Sequence, residues 1–577
     1  MLHPDPQIAA RIQKWLQPEY DAETRAAIEK MIAEQAYEAL TDAFYRDLEF
    51  GTGGLRGIMG VGSNRMNRYT LAAATQGLSN YLHQQFPAQP ISVALAHDSR
   101  NNATVFARIV AEVFAANNIT VYFFDGLRPT PELSFAIRAL GCQSGVMLTA
   151  SHNPKEYSGY KAYWSDGCQI IAPHDKNIIA EVNAITRLDQ IKFAFNPALI
   201  KPLGKEMDER FMAEVLALSL HPEAIQRQSK LKMVYSPLHG TGLTLVPETL
   251  QRMGFEAVHL VEEQCTMDGN FPTVVYPNPE EQEAMTMGLA LADKIGADLV
   301  MATDPDADRV GIAIRNDQNE LMLLNGNQTG VLLFHYLLSA WEKLGKPMDN
   351  AYIIKTVVTS YLIDRIAADK GVNCYNTLTG FKYIGALMGE LEGKKTFIAA
   401  CEESYGYLIG DYVRDKDAVA GCAMIAEMAA YYKDQGKTLF DALLDIYAQY
   451  GLYQEDLLSV TKTGKKGAEE IAALMEKYRA NPPQQLGGRQ VIRLKDYQLQ
   501  TETDLRTGKT TPIDLPKSNV LQFITEGDFI VSARPSGTEP KIKYYVSVNQ
   551  ALKSKATYWE ERAALVNTIQ AMKADLV

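Results

Sequence analysis

Four short stretches carry residue types that could do chemistry together. Asp304-Pro-Asp306-Ala-Asp308 puts three carboxylates at alternate positions, which a tight loop can point at one hard cation. A calcium EF-hand begins the same way but needs glycine at its sixth position and glutamate at its twelfth, where this chain has Arg309 and Arg315. The spacing instead suits Mg2+ held by a few carboxylates with a position open to a phosphate oxygen, which Arg309 would help to neutralise. Arg534-Pro-Ser536-Gly537-Thr538-Glu-Pro-Lys541 joins a guanidinium and two hydroxyls to a glycine-containing turn. Successive backbone N–H groups in such a turn form an anion nest, and the guanidinium can bind phosphate through two hydrogen bonds. Glu402 and Ser404 alternate, so both can meet neighbouring hydroxyls of a polyol. Ser151, in Gly145-Val-Met-Leu-Thr-Ala-Ser151-His152-Asn153-Pro154, adds a hydroxyl.

Each stretch has an ordinary reading on its own. Ser151 could be a turn former, the aspartates a solvated acidic turn, the Arg534 segment a plain Pro/Gly turn, and Glu402-Glu403 surface decoration. What sets them apart is that each ends an apolar run of strand length. The runs are Gly145-Val-Met-Leu148, Ala297-Asp-Leu-Val-Met-Ala302, Lys395-Thr-Phe-Ile-Ala-Ala400 and Asp528-Phe-Ile-Val-Ser532. In α/β folds such strand ends are where ligands bind. The complementary chemistries suggest one site.

The elements that carry these loops follow a β-α rhythm. Ile91–Ala96 reads as a strand, followed by His97-Asp98-Ser99-Arg100 and a helical pattern; Val121–Phe124 reads as another, followed by a Pro129/Pro131 turn and helix. The rhythm restarts at Lys232–Ser236, with the loop Pro237–Gly242, and again at Tyr352–Val358. It predicts a mostly parallel sheet covered by helices in each block. Thr379-Gly380-Phe381-Lys382 is a turn with a lysine in the third block. Residues up to about Phe50 read as helix, with Ile28, Met31, Ile32 and Leu40 at helical spacing. Gly51-Thr-Gly53-Gly54-Leu-Arg56-Gly57 is not a dinucleotide fingerprint: its last glycine falls one place late and no strand precedes it. It predicts a glycine-rich turn bringing Arg56 towards an anion. After Gly451 the sequence predicts a charged helix, a Pro-rich polar stretch, short alternating strands and a closing helix over Tyr558–Leu576. The expected fold class is α/β: three related mixed α/β domains with helices on both sheet faces, over 1–205, 206–325 and 326–452, plus a smaller C-terminal α+β domain over 453–577.

Composition narrows the partners. A length of 577 residues predicts about three to five domains of roughly 100 to 200 residues. The net charge of −12, from 57 basic and 69 acidic side chains, argues against nucleic acid or an anionic membrane as the main partner. An anionic substrate would need a local cluster of cations. The six cysteines form no C-x-x-C, which fits a reducing compartment, and the nine histidines show no H-E-x-x-H. The start has neither a basic nor an apolar leader region, and no apolar run approaches about 18 residues. A soluble cytoplasmic protein is expected. Gly508-Lys509-Thr510 looks like the end of a Walker A loop, but Thr503 stands where its first glycine is required. Lys462-Thr-Gly-Lys465-Lys466 reads as a solvated charge run.

Taken together, the chain resembles the α-D-phosphohexomutases, the phosphoglucomutase/phosphomannomutase superfamily. Thr149-Ala-Ser-His-Asn-Pro154 looks like its phosphoserine loop, Asp304–Arg309 like its metal loop, Glu402-Glu-Ser404 like its sugar loop and Arg534–Thr538 like its phosphate loop, in family order. Phe50–Arg56 and Phe271-Pro-Thr-Val…Pro277-Asn-Pro-Glu-Glu281 are similar to the bacterial phosphoglucomutase and phosphopentomutase branch. The resemblance implies four domains around a central cleft, and a Ser151 that carries a phosphoryl group to and from a sugar monophosphate. It implies Mg2+ on Ser151, Asp304, Asp306 and Asp308, with glucose 1,6-bisphosphate as intermediate and activator. Arg309, Thr379, Gly380, Lys382, Glu402, Ser404, Arg534, Ser536, Gly537 and Thr538 would bind the sugar phosphate, with Arg56 in the catalytic set. Lys161, ten residues after Ser151, matches the family's general acid–base lysine, and a lysine among cations and metal can have a lowered pKa. His152 is a second candidate. The partners implied are small sugar phosphates, with no nucleic acid or membrane, and a monomer or dimer.

Within that class the rivals to glucose are a pentose, mannose or glucosamine phosphate. Some members carry a histidine just after the Glu-x-Ser unit, where this chain has Tyr405, which removes one cue to dual glucose and mannose use. A non-catalytic sugar-phosphate sensor or a phosphatase would keep the same pockets; an intact serine, metal set and lysine argue for the mutase.

Overall fold

The computed structural model describes residues 2–51, 53–462, 464–536 and 540–576. Its backbone repeats one βαβαββ run three times. The first uses strands Ser92–His97, Thr120–Phe124, Ser144–Leu148 and Tyr157–Trp164, with helices Ala103–Ala116 and Thr130–Leu140 between the first three. The second uses strands Met233–Ser236, Val258–Leu260, Leu299–Thr303 and Val310–Arg315, with helices Val246–Met253 and Gln282–Ile295. The third uses strands Ala351–Thr356, Asn373–Thr377, Thr396–Glu402 and Gly406–Ile409, with helices Leu362–Asp369 and Phe381–Leu391. In every unit the third strand runs parallel to the first, on the side away from the second. The fourth returns antiparallel beside the third. The end of the third strand is therefore the same place in all three units. It holds Ser151, then Asp304 to Asp308, then Glu402 to Tyr405.

Alternation along the strands explains why helices cover both faces of the first sheet. Val93, Leu95, Val146 and Leu148 share a core with helices Arg68–Gln85 and Ala103–Ala116. The intervening Ala94, Ala96 and Met147 belong to the larger core that continues through the other units. Two further strands widen this sheet, Gly54–Ile58 beside Tyr157–Trp164 and Ile200–Leu203 beside Thr120–Phe124. The stretch expected to be only a glycine-rich turn is thus a short turn, closed by Gly51 and Gly54, that leads into a strand. Glycine at 54 hid the strand from the sequence pattern. It is required there, because a Cβ would lie 1.7 Å from the Tyr160 carbonyl oxygen.

The stretch after Gly451 also departs from expectation. It first forms the strand Leu452–Thr461, paired along its length with Lys541–Gln550, and the charged helix follows at Gly464–Ala480. Glu455 and Asp456 break the apolar pattern by which a strand is read; the long-range partner supplies the pairing. The rest of this antiparallel sheet runs Ile530–Pro535, Leu521–Thr525, Arg489–Asp496, Thr501–Asp504 and Thr510–Pro512, and helix Tyr558–Ala574 closes the domain. At the other end, helices Pro6–Trp15, Ala22–Ala33 and Tyr37–Phe44 gather around Ile12, Trp15 and Phe44. Asp5 and Asp21 cap the first two through side-chain hydrogen bonds, each contributing about 1 kcal/mol. Among the described residues no helix is long and apolar enough to cross a membrane.

Candidate active site

Ser151 leaves the strand Ser144–Leu148 with a φ of +52°, in the left-handed region that side chains other than glycine rarely adopt. Its Oγ donates to Asp304 Oδ2 at 2.7 Å and lies 3.2 Å from His152 Nδ1. Burial, then the charges of Arg309 and Arg56, push the His152 pKa well below its ordinary value. Arg56, from the strand Gly54–Ile58, therefore does stand near the serine loop.

The aspartate loop is locked from all three units. Asp304 Oδ1 accepts from the N–H groups of Asp308 and Arg309 at 3.1 and 3.0 Å, which closes the turn. From the first unit, Thr130 N–H donates to the Asp306 carbonyl and Thr130 Oγ1 to Asp306 Oδ2, both at 2.9 Å. From the third, Ala418 N–H donates to the Ala307 carbonyl at 3.1 Å. The loop Pro237–Gly242 braces it from behind: Thr241 donates twice to the Pro305 carbonyl, at 2.8 and 2.9 Å. Gly240 allows that approach, since a Cβ would lie 2.4 Å from Pro305 Cα.

Each of Asp304, Asp306 and Asp308 is buried, and each offers an oxygen within 4.8 Å of the others. Lys161 Nζ donates to Asp306 Oδ2 at 2.6 Å and to Asp308 Oδ2 at 3.1 Å; Lys416 Nζ reaches Asp308 Oδ2 at 3.2 Å. That leaves Asp306 Oδ1 and Asp308 Oδ1 buried without a hydrogen-bond partner among the described residues. A buried carboxylate oxygen without a donor is costly, and a close set of them is the donor chemistry of a hard cation such as Mg2+. The residues fit that ion. Burial, then Asp306 and Asp308, pushes the Asp304 carboxyl well above the usual range. Burial would raise Asp308 too, but Lys161, Lys416 and Arg309 overcome it and hold Asp308 low. Burial favours the neutral form of Lys161, but the charges of Asp306 and Asp308 outweigh burial and raise its pKa in the metal-free protein.

The third unit brings the sugar-type residues to the same place. Glu402 Oε1 accepts from Gly380 N–H at 2.9 Å, which ties the strand end to the turn Thr379-Gly380 ahead of helix Phe381–Leu391. Glu403 accepts from Thr356 Oγ1 at 3.1 Å, and burial followed by the neighbouring Glu402 charge pushes it up to about 7. Ser404 is partly exposed at the turn, and the Tyr405 carbonyl accepts from Val310 N–H at 3.0 Å, joining this loop to the end of the aspartate loop.

Lys382, in the first turn of Phe381–Leu391, has its pKa lowered by burial and by the nearby Arg534, against the pull of Asp175 and Cys168. Arg534 sits in the strand Ile530–Pro535 opposite Lys543, whose own pKa burial lowers and whose neighbours include Glu280 and Arg309. Ser536 follows, its N–H donating to the Lys541 carbonyl at 2.7 Å. Gly537 and Thr538 lie outside the described residues. Arg309, Lys382, Arg534 and Lys543 thus form the local cation cluster that an anionic substrate would need on a chain of net charge −12.

Sequence reasoning missed three members. Lys416 hid in the run Arg414-Asp-Lys-Asp417, which looks solvated but is buried. Glu280 pairs with Arg309, and Arg100 grips the serine loop. The motifs containing both were visible; their targets, far away in sequence, were not.

Comparison with known proteins accords with this geometry. The phosphoglucomutase/phosphomannomutase α/β/α domain I, II and III models match residues 47–189, 209–318 and 325–450. A phosphoglucomutase of Staphylococcus aureus (strain bovine RF122 / ET3-1) is 40% identical over 510 residues, 88% of this chain and 90% of the relative. One from Staphylococcus haemolyticus (strain JCSC1435) is 37% identical over 506 residues, 88% and 91%. The open form of parafusin from Paramecium shares the fold with a TM-score of 0.67 at 18% identity, over 92% of this chain and 96% of that one.

Proposed function

The chain belongs to the phosphoglucomutase/phosphomannomutase family and is an enzyme with phosphoglucomutase function, and we propose that it works by carrying a phosphoryl group on Ser151. The observation that carries this reading is the Ser151 hydroxyl bonded to Asp304 at the edge of three buried carboxylates, two of which keep an oxygen unpartnered among the described residues. In the proposed cycle the bond between phosphorus and Ser151 Oγ breaks as a sugar hydroxyl oxygen bonds to that phosphorus. The resulting glucose 1,6-bisphosphate reorients, and its other phosphoryl group returns to Ser151 Oγ. Phosphoryl transfer of this kind depends on position and electrostatics.

Asp304, Asp306 and Asp308 would hold Mg2+, which when bound offsets charge on the transferring phosphoryl group. Arg309, beside the aspartate loop, would help to neutralise the transferring phosphate, while Arg534, Ser536, Gly537 and Thr538, with Lys382 close by, would clamp the phosphate that stays. Glu402 and Ser404 would hold the sugar hydroxyls in either orientation. The attacking hydroxyl loses a proton, for which His152 Nδ1, 3.2 Å from Ser151 Oγ, would be the acceptor; Lys161, paired with Asp306 and Asp308, would act as the acid that returns a proton to the leaving oxygen. Domain boundaries near 205, 325 and 452 remain our reading of where these parts divide.

The test is conversion of glucose 1-phosphate to glucose 6-phosphate with Mg2+ and a trace of glucose 1,6-bisphosphate, beside ribose 1-phosphate and mannose 1-phosphate at equal concentration. Fast glucose turnover with slow pentose and mannose supports the proposal. A pentose preference would keep the mechanism and move the substrate.

A further inference from the structure

We propose that Arg100 is a positioning residue for Ser151: its buried guanidinium holds the loop that aims the serine hydroxyl at Asp304. The proposal rests on Ser151 being the phosphoryl carrier. Arg100 Nη2 donates to the carbonyls of Ser151 and Asn153, and Nη1 to those of Pro154 and Tyr157 at 2.8 and 3.0 Å. One side chain therefore gathers four carbonyls from a single seven-residue stretch. Buried carbonyls need partners, and only a planar fork can reach so many at once.

The grip extends to both sides of residue 151. Its carbonyl goes directly to Arg100. Its N–H donates to Thr149 Oγ1 at 2.8 Å; that hydroxyl donates to Asp98 Oδ2 at 2.6 Å, and the same oxygen lies 3.3 Å from Arg100 Nε. Ser151 sits at a φ of +52°, and such a conformation persists only where its surroundings over-determine it. The surroundings here are the Arg100–Asp98–Thr149 set. Without it the backbone is free to rotate towards ordinary angles, which would swing Oγ away from Asp304.

The second unit closes the device. Arg100 Cζ stands 5.2 Å from the centre of the Phe271 ring, and a Cβ on Gly269 would come within 2.2 Å of Asn101 N. The unit that provides the target carboxylate thus also seals the guanidinium from water, where its hydrogen bonds are stronger. With four N–H groups spent on carbonyls, Arg100 is built to hold the loop and not to bind substrate phosphate.

Two variants test this, Arg100→Lys, which keeps the charge but cannot span the carbonyls, and Thr149→Val, which removes one hydroxyl at nearly constant shape. Melting temperature, steady-state turnover of glucose 1-phosphate with Mg2+, and single-turnover phosphoryl transfer from glucose 1,6-bisphosphate to the protein would be measured, with Ser151→Ala as reference. The expected result for Arg100→Lys is a kcat and a transfer rate roughly 100-fold down, the scale of a displacement of about 1 Å, with KM within about threefold of wild type. Thr149→Val should move the same way by less, and it decides the matter if Arg100→Lys does not fold. Folded variants with wild-type kcat beside an inactive Ser151→Ala would overturn this inference alone. A rise in KM at unchanged kcat would overturn it too, by making Arg100 a binding group. Turnover by Ser151→Ala would instead remove the reading of Ser151 on which it rests.

Discussion

The Ser151 hydroxyl and the Asp304 carboxylate, 2.7 Å apart, end the third strands of two successive units. Equivalent strand ends of the two units face each other here, and the loop held by Arg100 carries the nucleophile onto a metal-type ligand 153 positions away. If that contact marks the reacting centre, Ser151→Ala removes the only atom that forms a bond to phosphorus on the protein. Turnover should fall to background, while glucose 1-phosphate binding, measured calorimetrically, stays within about threefold because the phosphate clamp is untouched. Retained turnover would take Ser151 out of the mechanism.

Three buried carboxylates, with two oxygens unpartnered among the described residues, predict that divalent cation stabilises the folded protein. Mg2+ should raise the thermal unfolding midpoint, by the equivalent of about 2.7 kcal/mol at 100 times its dissociation constant. Chelation should abolish turnover. Asp308→Asn removes one charge and one candidate ligand, so its midpoint should respond to Mg2+ only at much higher concentration. An equal response in the variant would place the ion elsewhere.

Arg534 stands among Lys382, Lys543 and Glu403, and in the proposed cycle it holds the phosphate that does not react. Arg534→Ala should therefore raise KM for glucose 1-phosphate by roughly 10- to 100-fold, from charge-assisted hydrogen bonds of about 1.5–3 kcal/mol, and change kcat less. A fall in kcat at constant KM would contradict the clamp.

Much of this arrangement was legible in the sequence, for physical reasons that also define what was not. Ser151, Asp304 and Glu402 could be located because each ends an apolar run, and a strand end followed by polar residues is a local signal. The three-fold repeat of topology was legible as rhythm, since helix and strand periods are local as well. Lys416 was not: Arg414-Asp-Lys-Asp417 has the composition of a solvated turn, and only its burial against Asp308 and the Phe381 ring reveals its place. The strand Leu452–Thr461 was lost for the opposite reason, because Glu455 is charged in sequence yet buried in the fold. The rise in the Lys161 pKa depended on two carboxylates about 145 positions away, which no local pattern carries.

That buried Glu455 yields a prediction of its own. It lies at the joint between the third unit and the C-terminal sheet, accepting from Ser360 Oγ, with Ser547 and the charge of Lys355 also nearby. Burial pushes its pKa from an ordinary 4.5 up to about 7, more than those partners pull it down. Below about 4.5 the carboxyl is protonated in both folded and unfolded chains. Between about 4.5 and about 7 the folded protein keeps a proton that the unfolded chain has lost, so stability falls as pH rises through that window and is level beyond it. At about 1.4 kcal/mol per pKa unit the effect is of the order of a few kcal/mol. Glu455→Gln keeps the shape and an acceptor oxygen for Ser360 without the titration. Its urea midpoint should exceed that of wild type clearly at pH 8 and much less at pH 5, on the order of the same few kcal/mol in difference. An identical difference at both pH values would mean that Glu455 is ionised in the folded protein throughout, and that Lys355 and the two serines outweigh its burial.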